Sequence, residues 1–161
     1  MTIGFILNGE DVVVRTEAEH RLVDILRSIF NLLETKSCCN IGNCGSCSII
    51  FNGDVIKSCL VPAFKIRDSE IITIEGFSQT TEYQDIIEGF SRAKTQACAF
   101  CKTGKILATE ALLGKNQNPL DEEILSAFSG IRCRCTEPES LIRGVKNAAE
   151  RRRSRIYGRS F

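Results

Sequence analysis

The sequence contains a single histidine, His20, and no surplus of either charge: 21 Lys and Arg against 20 Asp and Glu leave a formal net charge of +1. With one histidine, no Ser-His-Asp or Cys-His catalytic arrangement can be assembled. His20 itself, in "EAEHRL" among charged neighbours, reads as a solvated residue. Near-neutrality excludes a global field that would gather nucleic acid or an acidic membrane, so a polyanion partner would need a local patch. The one candidate, "RRRSRIYGR" from Arg151 to Arg159, reads as a solvated helix end and terminus that could dock on a partner protein, and not as a nucleic-acid site. No run reaches the roughly eighteen apolar residues of a membrane span, and "MTIGFILNGE" lacks a basic leader and cleavage site. The expectation is a soluble, cytoplasmic protein. Internal repeats and low-complexity segments are also missing, and the acids Asp121, Glu122 and Glu123 read as a helix start. The isolated chain is therefore not expected to be catalytic.

What the chain does have is a core and cysteines. At 161 residues and 43% hydrophobic content it can bury real apolar surface in one domain or two small ones. Ile3, Phe5 and Leu7 alternate, Asn8-Gly9 follows, and Val12 and Val14 alternate again, which predicts a hairpin. Leu22, Ile25, Leu26, Ile29, Phe30 and Leu33 fall at helical spacing, predicting a helix from Arg21 to Leu33. A second hairpin is expected around Asn52-Gly53, and a last strand at "EIITIEG", Glu70 to Gly76. After "GFSQTTEYQ" the strand signals stop. Helices are predicted over Tyr83 to Ala93, Phe100 to Leu113, Pro119 to Phe128 with Asn118 as cap, and Pro138 to Arg151. The expected class is α+β, with a mixed sheet on one helix followed by an all-α half of four helices, divided near residues 77 to 82.

Nine cysteines, an odd number with no secretory signal, point to metal or redox work rather than a disulfide framework. Cys39, Cys44 and Cys47, with Cys59 after eleven intervening residues, match the C-x4-C-x2-C spacing and distant fourth cysteine of plant-type [2Fe–2S] sites. Such a core needs four converging thiolates and a backbone that turns its N–H groups toward the sulfurs, and Gly42 and Gly45 suit that wrapping. In the second half "CAFC" supplies Cys98 and Cys101, and "CRC" supplies Cys133 and Cys135. Two close pairs at predicted helix ends can meet only if the helices bring those ends together. Taken alone, this set leaves zinc and iron–sulfur both open; the neighbouring site favours iron–sulfur. Cys38 is left over and reads as an inert buried thiol, the other roles being an alternate ligand and a redox-sensitive group.

"CNIGNCGSC" with Cys59, then "CAFC", then "CRCT", in that order and spacing, closely resemble the iron–sulfur small subunit of the molybdenum hydroxylases, the xanthine dehydrogenase family, over about Ile3 to Val145. The resemblance implies an N-terminal β-grasp, ferredoxin-like domain, residues 1–78, with one [2Fe–2S] cluster on Cys39, Cys44, Cys47 and Cys59. It implies a helical domain, residues 82–161, with a second cluster on Cys98, Cys101, Cys133 and Cys135. Implied partners are a large molybdopterin-binding catalytic subunit and a medium FAD-binding subunit in a hetero-oligomer, with electrons running from molybdenum through the second cluster and then the first to FAD. A glutamine of the family contacts the pterin; the corresponding residue here is Gln96, one position earlier, because Ala97-Cys98-Ala99-Phe100-Cys101-Lys102-Thr103-Gly104 stands where the family commonly has Gln-Cys-Gly-Phe-Cys-Thr-Pro-Gly. Glu137 and Pro138 likewise replace the Gly-Tyr that usually follows the last Cys-Thr. The alternatives are a free-standing two-cluster ferredoxin and a zinc-stabilised interaction module.

Overall fold

Both predicted hairpins form, each around an Asn-Gly turn in which the two residues take left-handed backbone angles: φ is 52° and 86° at Asn8 and Gly9, and 49° and 88° at Asn52 and Gly53. A computed structural model describes residues 1–158. Strands β1 (Thr2–Leu7) and β2 (Glu10–Arg15) make the first hairpin; β3 (Ser48–Phe51) and β4 (Asp54–Lys57) make the second. With β5 (Glu70–Ile72) they form one mixed sheet in the order β2-β1-β5-β3-β4, in which β1 and β5 run parallel. This is a β-grasp sheet with helix α1 (Leu22–Ser28) across it, and the α+β expectation holds.

The inner strand β3 has apolar residues on both faces because it is covered on both. Ile49 lies in the core that α1 shares with Ile3, Phe5 and Ile71, whereas Ile50 belongs to the core of the helices that follow. Those helices are the short α2 (Ile74–Phe77), then α3 (Thr81–Arg92), α4 (Lys102–Lys115), α5 (Asp121–Ala127) and α6 (Pro138–Tyr157). Helices α3 and α6 approach so closely that a Cβ on Gly89 would sit 2.5 Å from the backbone nitrogen of Ala148.

Several boundaries differ from the sequence expectation, each for a local reason. Helix α1 stops at Ser28: Asn31 takes a φ of 56°, and the Arg27 guanidinium holds the carbonyls of Leu33 and Thr35 at 2.8 and 2.9 Å. Phe30 still packs edge-on against Phe5 from the loop, while Leu33 is exposed. The last strand ends at Ile72 because the Asn8 side chain takes over, accepting from the Thr73 amide at 2.8 Å and donating to its hydroxyl at 3.1 Å. Asn118 does not cap α5; the cap position is Leu120, whose amide donates to the Glu123 carboxylate at 2.7 Å.

Helix α6 runs past Arg151, and its arginines are not the solvated helix end expected of them. Arg155 donates from Nε and its terminal nitrogen to Asp85 at 3.0 and 2.9 Å and also reaches Glu82; Arg151 pairs with Asp85 and Glu88; the buried Arg152 pairs with Glu110. The run folds back as ion pairs onto α3 and α4, with Arg159 lying outside the described residues. Among the described residues no helix is long and apolar enough to cross a membrane. Asp85 is buried between two guanidinium groups, whereas Glu82 lies at the rim. Asp85→Ala is expected to cost about 3–5 kcal/mol because it leaves two facing cations uncompensated, and Glu82→Ala less than about 1 kcal/mol. Denaturant unfolding of the two variants checks this, and equal losses would refute it.

Candidate iron–sulfur sites

The first four predicted ligands come from a loop and a turn held together by the sheet. After α1 the chain needs left-handed turns at Asn40, Gly42 and Gly45, with φ of 55°, 74° and 80°, to curl around its own centre. The curl aims amides inward: Cys39 Sγ accepts from the amides of Asn43 at 3.2 Å and Cys44 at 3.3 Å, and Cys44 Sγ from Ser46 at 3.5 Å. The Ile41 amide, together with those of Cys44 and Asn43, holds the Cys39 thiol down at about 6, where it is a thiolate at neutral pH. Cys47, at the start of β3, and Cys59, in a 3₁₀ turn after β4, are buried against Val23. The Ser58 hydroxyl ties the two segments by donating to the Cys47 carbonyl at 2.7 Å. Burial pushes Cys47 up to about 11, so its thiolate needs a compensating cation.

Leu60 lies over Gly42, where a Cβ would meet its Cδ1 at 2.4 Å. Both glycines singled out in the sequence are therefore placed in the loop as expected. Cys38 is not the buried thiol expected: it is exposed. Its thiol still faces the loop: the Cys44 sulfur beside it pushes Cys38 above its ordinary value.

The first four meet in pairs, Cys39 with Cys44 and Cys47 with Cys59, whereas the second four converge. Cys98 and Cys101 precede α4, and Cys133 and Cys135 precede α6. Cys98 Sγ and Cys101 Sγ are 3.4 Å apart, Cys133 Sγ is 3.4 Å from Cys101 Sγ, and the sulfurs of Cys98, Cys101 and Cys135 all lie within 4.8 Å of one another. Burial drives Cys101 up to about 12. Burial acts on Cys133 in the same direction but is outweighed by the Lys105 ammonium and the Cys135 amide, which bring it down to about 6. Four thiol side chains so close, with Cys133 held as a thiolate, fit a thiophilic centre.

The two sites touch through the backbone. The Cys44 carbonyl accepts from the Arg132 amide at 3.2 Å, and a Cβ on Gly45 would meet the Gly130 carbonyl at 3.1 Å. A Cβ on Gly104, in the first turn of α4, would meet the Gly45 carbonyl at 2.9 Å.

Residues 73–146 match the family model described as a [2Fe–2S] binding domain. The chain is 41% identical over 151 residues to the nicotinate dehydrogenase small FeS subunit of Eubacterium barkeri, covering 94% of this chain and 96% of that one. It belongs to the iron–sulfur small subunits of the molybdenum hydroxylase (xanthine dehydrogenase) family. It is also 33% identical to a probable xanthine dehydrogenase subunit of Bacillus subtilis, over 86% of this chain and 80% of that one. Its fold superposes on a chain of quinoline 2-oxidoreductase from Pseudomonas putida 86 with a TM-score of 0.85 at 32% identity, covering 98% of this chain and 97% of that one. The matched [2Fe–2S] binding region, residues 73–146, includes all four cysteines of the helical half.

His20 is exposed and its ring bonds the Thr16 hydroxyl, as expected of a solvated residue. Gln96 is exposed beside Cys135, and its carbonyl accepts from the Thr136 hydroxyl. Sequence reasoning missed Lys105, a buried lysine whose ammonium donates to Cys133 Sγ at 2.9 Å. The signal was there in principle, since a residue four after Cys101 stands on the same helix face.

Gly45 and Gly53 both have positive φ, but only Gly45 faces a backbone neighbour. Gly45→Ala is expected to lower stability by about 1–3 kcal/mol through strain and overpacking together, and Gly53→Ala by about 1 kcal/mol through strain alone. Thermal denaturation of the holoprotein variants separates them, and identical losses would show that the contact between the cysteine loops contributes nothing.

Proposed function

We propose that the chain is the electron-transfer subunit of a molybdenum hydroxylase complex, carrying two [2Fe–2S] clusters, one on Cys39, Cys44, Cys47 and Cys59 and one on Cys98, Cys101, Cys133 and Cys135. In this reading it relays electrons from a molybdopterin catalytic subunit to an FAD subunit and performs no substrate chemistry itself. The hydrogen bond between Cys44 and the residue preceding Cys133 carries the reading, because it brings the two cysteine loops into direct contact and so supports a short internal path. The clusters would supply one-electron storage. The protein supplies the thiolates, the amides that stabilise them and a different degree of burial at each site, which is how potentials are set apart.

The division into domains 1–78 and 82–161 is supported by two largely separate apolar cores on the two faces of β3. Exposed apolar side chains beside both sites support docking of partner subunits: Ile41 and Leu60 near the first, Phe100 near the second. Gln96 and Cys135 share one small polar hollow of about 240 Å³ with Lys94, Thr136, Glu137 and Ser140. That hollow is the surface on which Gln96 would contact the pterin of the catalytic subunit.

Anaerobically prepared protein is expected to contain about four irons and four acid-labile sulfides per chain, to give two EPR signals on reduction with dithionite, and to purify from its native host with larger subunits containing molybdopterin and FAD. About two irons, or zinc in place of iron, would refute the two-cluster reading. A chain that is monomeric in its host would favour a free-standing ferredoxin.

A further inference from the structure

Lys105 is charged, 2% exposed and without an acidic partner. Among the described residues no carboxylate pairs with it, and its ammonium donates only to Cys133 Sγ, at 2.9 Å, and to the Thr136 hydroxyl, which in turn donates to the Gln96 carbonyl. Removing an ammonium from water costs several kcal/mol unless an opposite charge receives it. The site is doubly unfavourable for a cation, because Lys105 also stands near the N-terminus of α4, the positive end of the helix dipole. Three of the arginines on α6 do have an acid: Arg152 has Glu110, and Arg151 and Arg155 have Asp85. Among the described residues, the one anionic group that the Lys105 ammonium bonds is the Cys133 sulfur.

We propose that Lys105 is the built-in counter-ion of the helical-half cysteine site, and that it raises the reduction potential of the cluster held there above what the same four thiolates would give alone. The inference rests on the two-cluster reading above. The step concerned is the gain of one electron by one ferric iron, from dithionite in a titration or from the reduced catalytic centre in the complex; no bond breaks and no proton is needed. The reduced site carries one more negative charge than the oxidised site, so a fixed cation at a ligating sulfur favours the reduced state more.

The first site has no equivalent among the described residues. Its sulfurs accept from the amides of Asn43, Cys44 and Ser46, and the nearby Lys57 ammonium donates to the Gly42 carbonyl instead. Lys105 thus acts on one cluster and not on the other. It is a positioning and tuning residue, not a catalytic one.

The test is an anaerobic, EPR-monitored redox titration of the holoprotein as wild type, Lys105→Met and Lys105→Arg, the helical-half signal being the one that Cys98→Ser perturbs. Methionine keeps the length and apolar stem without the charge. The midpoint of the helical-half signal is expected to fall by an amount equal to about a tenfold change in the reduced-to-oxidised ratio, about 59 mV for a one-electron couple. The other signal should not move, and Lys105→Arg should retain most of the wild-type value. Two intact signals with an unchanged midpoint in Lys105→Met would overturn the proposal, whereas a wild type showing one signal would instead refute the two-cluster reading. If Lys105→Met does not assemble its cluster, Thr136→Val, which removes the acceptor orienting the ammonium, should shift the same midpoint downward by a smaller amount; no shift overturns the proposal.

Discussion

Gathering thiolates is unfavourable, because like charges must share a space that water has left. The architecture is organised around making that gathering tolerable twice. In the β-grasp half the solution is backbone: left-handed turns at Asn40, Gly42 and Gly45 rotate successive amides toward the sulfurs, so donors are supplied without any side chain being buried for the purpose. In the helical half the cysteines come from two loops distant in sequence, and a whole ammonium group, that of Lys105, is placed among them. Both solutions require rigid supports, which explains why β3 is covered on both faces and why α3 and α6 are pressed together at Gly89 and Ala148.

The ligand pattern was the most legible part of the chain, since cysteine spacing reflects local wrapping and survives any uncertainty about tertiary structure. The hairpins were equally plain, because Asn-Gly dictates a two-residue turn whatever surrounds it. What could not be read depends on contacts far apart in sequence. The end of α1 is set by Arg27 reaching forward to two loop carbonyls, and the end of β5 by Asn8 reaching back from the first hairpin. The arginine-rich helix looked solvated because its acids lie on α3 and α4, some 42 to 73 residues away. Cys38 looked buried because free cysteines usually are, but it lies on the solvent side of the loop, beside the Cys44 sulfur.

The consumption of those arginines also decides what the surface can do. A basic run that is neutralised internally has little field left for a polyanion. Near the cysteines, Ile41, Leu60 and Phe100 are each more than half exposed, alongside the exposed Arg132 and Arg134. Patches of this kind suit protein partners better than nucleic acid.

An electron relay must be close inside and accessible outside, two demands that conflict if every ligand is equally buried. Here they are divided among the cysteines. Cys47, Cys59 and Cys101 are each 3% exposed and anchor their sites in the core, while Cys135 is exposed toward the Gln96 hollow and Cys39 lies in the outer loop. The contact between the halves runs through Cys44 and Arg132, backbone to backbone, and so does not depend on the rotamer of any side chain. A carbonyl-to-amide bond there has a further effect: it fixes the spacing of the two sites as firmly as a sheet ladder fixes neighbouring strands. Charge can then differ between the sites, through Lys105 on one side only, without altering the distance between them. In the proposed relay, geometry and potential would thus be set by different atoms, so that substitution could adjust one while the other stays constant.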